Sequence, residues 1–96
     1  MNIYLQDKPI EETIIEDRTG TTDAAKVILY NDEVHTFDEV IIQLIKAIAC
    51  SPEEAESIAW EVHSKGKAMV YEGEMPDCLR VSGILEEIAL HTQIEF

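Results

Sequence analysis

The sequence predicts an α+β fold: one small domain in the order β-α-α-β-α-β, with an antiparallel three-stranded sheet and helices packed on one face. Three observations carry this expectation. Apolar, β-branched runs too short for helices begin at Lys26 and Lys67. Helix start signals stand at Thr36, Ser51 and Pro76-Asp77, each followed by apolar residues at helical spacing. The 96 residues, 46% hydrophobic, suit one core rather than two.

Residues 1–25 alternate acidic and apolar side chains without a sustained period and end in TGTTDAA. They are expected to form a flexible acidic tail, with a transient strand near residues 3–5, which leaves 26–96 as the core domain. Residues 26–30 form the first strand. Thr36 and Glu39 then stand at capping-box spacing, where hydroxyl and carboxylate each satisfy a free backbone N–H. Behind them Phe37, Val40, Ile41, Leu44, Ile45 and Ile48 mark one face of a helix that runs to about Ala49.

Ser51, Pro52 and Glu54 repeat the start signal for a second helix, with Ala55, Ile58, Ala59 and Val62 facing inward. Gly66 is suited to the left-handed cap that ends it, with Lys65 in the last turn. Residues 67–71 or beyond read as a strand. Pro76-Asp77 opens a third helix, with Cys78, Val81, Ile84, Leu85 and Ile88 on its apolar face. Gly83 inside that helix costs about 1 kcal/mol relative to Ala and predicts close packing against a neighbour. Residues 93–96 suit a last short strand.

Twenty acidic against seven basic side chains give a net charge of −13. Such a field repels nucleic acid and anionic membrane and raises the local concentration of cationic partners. No run approaches the roughly 18 apolar residues of a membrane span. The N-terminus lacks a basic segment followed by an apolar one, so no secretory signal is expected. The two cysteines form neither a disulfide framework nor a CxxC motif. The expectation is therefore a cytoplasmic protein with reduced, packed thiols. Phosphate-loop, HExxH and GxSxG patterns do not occur, and Asp32, His35 and His63 do not fit a recognised metal spacing. The expectation is a non-enzymatic protein with no metal and no cofactor.

Asn31, Asp32 and Glu33 place three acceptor-rich side chains ahead of a helix that Thr36 already caps. A primary ammonium group brings three donors and a positive charge and is satisfied by three acceptors. An Asn carbonyl, an Asp carboxylate and a neutral His63 nitrogen, directly or through water, would supply them. The structural alternatives are an Asx turn at Asn31-Asp32 and a dipole-stabilising His at the end of the second helix. Taken singly, each residue is better explained by its structural alternative; the combination stays open.

Two stretches in this order, "KVILYNDEVHTFDEVI" and "EEAESIAWEVHSKGKA", resemble the ClpS adaptors of the Clp protease, the bacterial N-end-rule recognition proteins. The second carries the family's Val-His-x-x-Gly-Lys-Ala pattern, here Val62 to Ala68. The resemblance spans residues 26–68, weakens from Met69 onward and does not reach the tail. It implies the same β-α-α-β-α-β fold and an adaptor that binds N-terminal degrons, a free α-amine with a large hydrophobic first residue. Such adaptors deliver their cargo to a Clp AAA+ unfoldase for degradation.

By position, the resemblance makes Asn31, Asp32 and His63 the α-amine ligands. It makes His35, Phe37, Val40, Ala59 and Val62 the hydrophobic pocket, closed from the last strand by Ile94, with Gln93 the competing choice. Glu74 and Arg80 resemble the charges that contact the unfoldase. His35 stands where the family usually has Thr, Phe37 and Ala59 where it often has Met, and Trp60 where an aliphatic residue is usual. These departures predict an altered first-residue preference that tolerates Ile or Val. The alternative reading is a ClpS-like module that binds the Clp ATPase and modulates its substrate choice without binding N-degrons. A generic scaffold, in which these residues are only caps, ranks third.

Overall fold

A computed structural model describes residues 24–96, so the expected tail over 1–25 lies almost wholly outside the described residues. The order is β1 (Ala25–Tyr30), α1 (Phe37–Ile48), α2 (Pro52–Lys65), β2 (Lys67–Gly73), α3 (Met75–Glu86) and β3 (Thr92–Glu95). The sheet is antiparallel in the order β2-β1-β3. The α+β class and element order agree with the sequence expectation.

Strand alternation places the core. Ala25, Val27 and Leu29 of β1 are almost fully buried, as are Ala68 and Val70 of β2, while the alternating Lys67 and Met69 are exposed. Leu44, Ala55, Val62, Val81 and Leu85 from the three helices close over that buried face. The central strand, with partners on both sides, therefore contributes the least accessible side chains of the sheet.

Local chemistry sets the helix ends. Thr36 Oγ1 accepts from the Glu39 N–H at 3.1 Å and Glu39 Oε1 accepts from the Thr36 N–H at 2.8 Å, completing the capping box. Ser51 Oγ accepts from the Glu54 N–H to start α2. Helix α1 is tied to α3 and its C-cap, Glu87, by three contacts. Gln43 Nε2 donates to the Ile84 carbonyl, Arg80 donates to the Ala47 carbonyl, and Lys46 Nζ meets Glu87 Oε1 at 2.7 Å.

Two expectations for α3 need correction. Its helical hydrogen bonding ends at Glu86, so Ile88 lies in the following turn rather than on the helix face. Ala89 there takes a positive φ of 66° and its N–H bonds back to the Glu86 carbonyl, which closes the turn. Gly83 is not packed against a neighbour either: it is exposed, and a Cβ added to it meets nothing within 4 Å. The helical spacing of the apolar residues was informative because burial enforces it. The glycine carried no such signal.

Gly83→Ala is therefore expected to stabilise the domain by about 0.5–1 kcal/mol in urea denaturation, because helix propensity is gained with no steric cost. Leu44→Ala, at a fully buried position, is expected to cost about 2–5 kcal/mol in the same measurement. Destabilisation by Gly83→Ala would show that α3 meets a neighbour at that point.

Candidate functional site

The site forms where β1 and α2 finish side by side. Gly66 adopts φ 87° and its N–H closes α2 onto the Val62 carbonyl at 2.9 Å. An L-residue in that left-handed conformation is strained, so glycine is the natural choice. The chain then turns directly into β2, whose first residue, Lys67, lies opposite Tyr30. The Asn31 N–H continues this ladder by donating to the Gly66 carbonyl at 2.9 Å. On the other flank the Tyr30 N–H donates to the His91 carbonyl at 3.0 Å. The loop that leaves β1 is thereby fixed next to the last turn of α2, and Asn31 and Asp32 come to the same cavity as His63.

That cavity holds about 400 Å³. Its polar lining comes from Asn31, Asp32, Glu33, His35, Thr36 and His63. Its apolar lining comes from Leu29, Phe37, Val40, Ala59, Val62 and Leu90, with Tyr30 at the strand end. All the residues expected to hold an amine therefore converge on one cavity, as do His35, Phe37, Val40, Ala59 and Val62. Ile94 does not. It lies on β3 opposite Val27, whereas the cavity adjoins Leu29 and Tyr30 at the other end of β1. Leu90, in the segment before β3, takes the place assigned to it. Glu74, the N-cap of α3, and Arg80 also lie outside the cavity.

Asp32 holds the loop together. Its Oδ1 accepts from the backbone N–H groups of Val34 and His35, both at 2.9 Å, the Asx-type turn named above as the structural alternative. Its Oδ2 meets His35 Nδ1 at 2.8 Å. The other imidazole nitrogen, Nε2, bonds to the carbonyl of Ile88. His35 thus belongs to the cavity as a polar bridge from the β1–α1 loop to the α3–β3 turn, rather than as part of an apolar wall.

The Ile88 carbonyl and the Asp32 carboxylate together hold the His35 pKa above its ordinary value, against the opposing effect of burial. For Asp32 burial is the largest single influence and acts upward. The donors from His35 and Val34 outweigh it, so the carboxyl lies below its ordinary value.

Three aromatic rings shape one wall. Phe37 and Trp60 stack at a tilt with centroids 4.8 Å apart, and His63 stands edge-on to Trp60 at 5.9 Å. Trp60 remains 55% exposed. It braces Phe37 and His63 from outside the cavity, since it does not line it. Among the described residues, no group of three or more His, Cys, Asp or Glu side chains is placed to hold a metal ion. No helix there is long and apolar enough to cross a membrane.

Sequence reasoning missed Leu29, Tyr30, Thr36 and Leu90, and it named Glu33 only as an acceptor-rich neighbour without assigning it to the site. The first three adjoin the Asn31–His35 loop, so the end of the strand and the N-cap were readable as neighbours. Leu90 had no such signal, because its position depends on how α3 ends.

The family model described as ATP-dependent Clp protease adaptor protein ClpS matches residues 21–93. The ClpS adapter of Nitratidesulfovibrio vulgaris is 34% identical over 68 residues, 69% of this chain and 68% of that protein. The human E3 ubiquitin-protein ligase UBR2 is 34% identical over 64 residues, 67% of this chain but only 4% of that protein's length. The structure of Agrobacterium tumefaciens ClpS2 bound to L-phenylalaninamide superposes with a TM-score of 0.66 at 20% identity. It covers 75% of this chain and 94% of that one. At that identity the likeness speaks for the fold.

The Asp32–His35 pair sets a pH dependence of stability. The raised His35 contributes fully below 6.5, its unperturbed value, and the contribution is lost as pH rises through the higher folded value. The lowered Asp32 contributes above 3.8 and loses its effect as pH falls through the lower folded value. Urea denaturation is expected to show stability declining as pH rises above the unperturbed imidazole value, and a shallower decline in Asp32→Asn. Equal slopes in the two proteins would contradict the bridge.

Proposed function

The chain belongs to the ClpS family of Clp protease adaptors, and from that membership we propose that it recognises proteins by their free N-terminus and delivers them to a Clp AAA+ unfoldase. The chain acts as an adaptor, not as an enzyme. The single observation that carries the reading is the convergence of Asn31, Asp32 and His63 on one half-apolar cavity. A free α-amine is a cation with three donors, and these side chains offer acceptors of matching number and charge. The first side chain of the substrate enters between Phe37, Val40, Ala59 and Val62. Phenylalaninamide, the ligand of the Agrobacterium protein, has the same two chemical features, a free amine and a large apolar side chain.

The energetic roles divide. Burying a Leu or Phe side chain contributes about 1.5–3 kcal/mol. Acetylating the amine removes its charge and donors and leaves buried acceptors unpaired, at about 1–3 kcal/mol each. Small Ala59 opens the wall on one side while the Phe37 ring, stacked on Trp60, stiffens it on the other. That combination favours an apolar first residue and accommodates branching at Cβ. Glu74 and Arg80, away from the cavity, are the proposed contacts to the unfoldase. The tail would serve delivery.

Fluorescence anisotropy with labelled peptides tests the reading. Peptides starting with Phe or Leu are expected to bind at micromolar Kd, with N-acetylation or Asp32→Ala weakening them by about tenfold or more. An Ile-starting peptide is expected to stay within about a hundredfold of its Leu counterpart, a difference below roughly 3 kcal/mol. Equal binding of free and acetylated peptides would overturn amine capture. The absence of binding across all apolar first residues would favour a module that engages the ATPase without N-degrons.

A further inference from the structure

Asp32 has its acceptor positions mostly filled before a ligand arrives. An ionised carboxylate offers roughly four. Two on Oδ1 are taken by the Val34 and His35 N–H groups, and one on Oδ2 by His35 Nδ1. One position on Oδ2 remains for the cavity that Asp32 lines. The imidazole that fixes this arrangement faces an acceptor at each nitrogen, the carboxylate at Nδ1 and the Ile88 carbonyl at Nε2. A neutral ring carries only one N–H and would point a lone pair at one of those oxygens. Only the imidazolium donates to both.

We propose that His35 is the positioning residue of the amine site: as an imidazolium it presents the free Oδ2 lone pair of Asp32 to the cavity, and a cationic amine captured there drives the imidazole proton off to water. The inference rests on the reading of this cavity as an amine site. It adds that capture is coupled to the protonation of a residue that need not touch the ligand. Before binding, the Asp32 carboxylate and the His35 imidazolium form a neutral pair, so the site is not yet strongly attractive to a cation. An ammonium ion at Oδ2 sets two positive charges on one carboxylate, and the mobile one is the imidazole proton.

The charges around the ring permit this. Asp32 and Glu33 lie on its own loop and Glu39 at the start of α1. His63 stands across the cavity on α2, while the α3–β3 side offers the Ile88 carbonyl and apolar Leu90. Both partners are partly buried, with 10% of the His35 side chain and 26% of the Asp32 side chain accessible, so solvent screens the coupling only in part. His63 must also be neutral to accept from an amine. Its titration therefore has to be followed separately.

The chain has three histidines, few enough for residue-resolved NMR titration of each ring. In the free protein both ring nitrogens of His35 are expected to be protonated at about pH 6.5, near the unperturbed imidazole value. Saturation with a Phe-starting peptide is expected to lower the His35 pKa by about one pH unit or more, the size produced by a like charge within 4–6 Å. In His35→Gln, which keeps a donor but cannot titrate, peptide affinity is expected to rise less between about pH 6 and pH 7 than in the wild type, since the peptide amine stays mostly charged there. A singly protonated His35 in the free protein, or a His35 pKa unmoved by saturating peptide, would overturn the coupling while leaving amine capture intact. Absence of any peptide-induced shift in the spectrum would overturn both.

Discussion

The contact between the Asn31 N–H and the Gly66 carbonyl is the constraint on which the rest of the site depends. It extends the β1–β2 pairing by one step beyond Tyr30 and Lys67. In doing so it fixes a loop of acceptor-rich side chains against the last turn of a helix. Gly66 makes this possible by ending α2 in a left-handed conformation and entering the strand without an intervening loop. The spacing from Val62 to Ala68 therefore has a mechanical meaning. Val62 and Ala68 are buried on the core side, His63 stays exposed at the cavity, and Gly66 makes the turn.

The fold was legible where burial imposes a period. The capping box of α1 and the N-cap of α2 followed from residue type and spacing, and so did β1 and the inner faces of α1 and α2, because each apolar side chain had to reach one core. Legibility failed at the α3–β3 connection. Ile88 continues the helical spacing of α3, yet the helix stops at Glu86 and Ala89 turns through positive φ. That ending brings Leu90 to the cavity and offers the Ile88 carbonyl to His35. No local pattern in the sequence encodes either contact, since both are made across more than fifty residues of chain separating this turn from His35. Ile94 was misplaced for the same reason: the end of β3 nearest the cavity depends on register, which the spacing of four strand residues does not settle.

In the acceptor-rich loop, the structural explanation of a residue and the functional one proposed for it need not exclude one another. Asp32 makes the Asx-type turn that a structural explanation requires, and this turn orients its carboxylate. A freely rotating carboxylate would lose rotamer entropy on binding a ligand, whereas this one is already ordered by three donors. His35, which the sequence offered as part of an apolar wall, is the third of those donors. Phe37 and His63 are held differently, by tilted and edge-on packing against Trp60 outside the cavity.

The most direct test of amine capture is a crystal structure of the protein soaked with phenylalaninamide. The expected result puts the ligand's ammonium nitrogen about 2.7–3.2 Å from Asp32 Oδ2, with Asn31 and His63 completing its partners. Its ring would lie between Phe37, Val40, Ala59 and Val62. A ligand bound with its amine in solvent, or seated at a different surface while this cavity stays empty, would contradict the central claim.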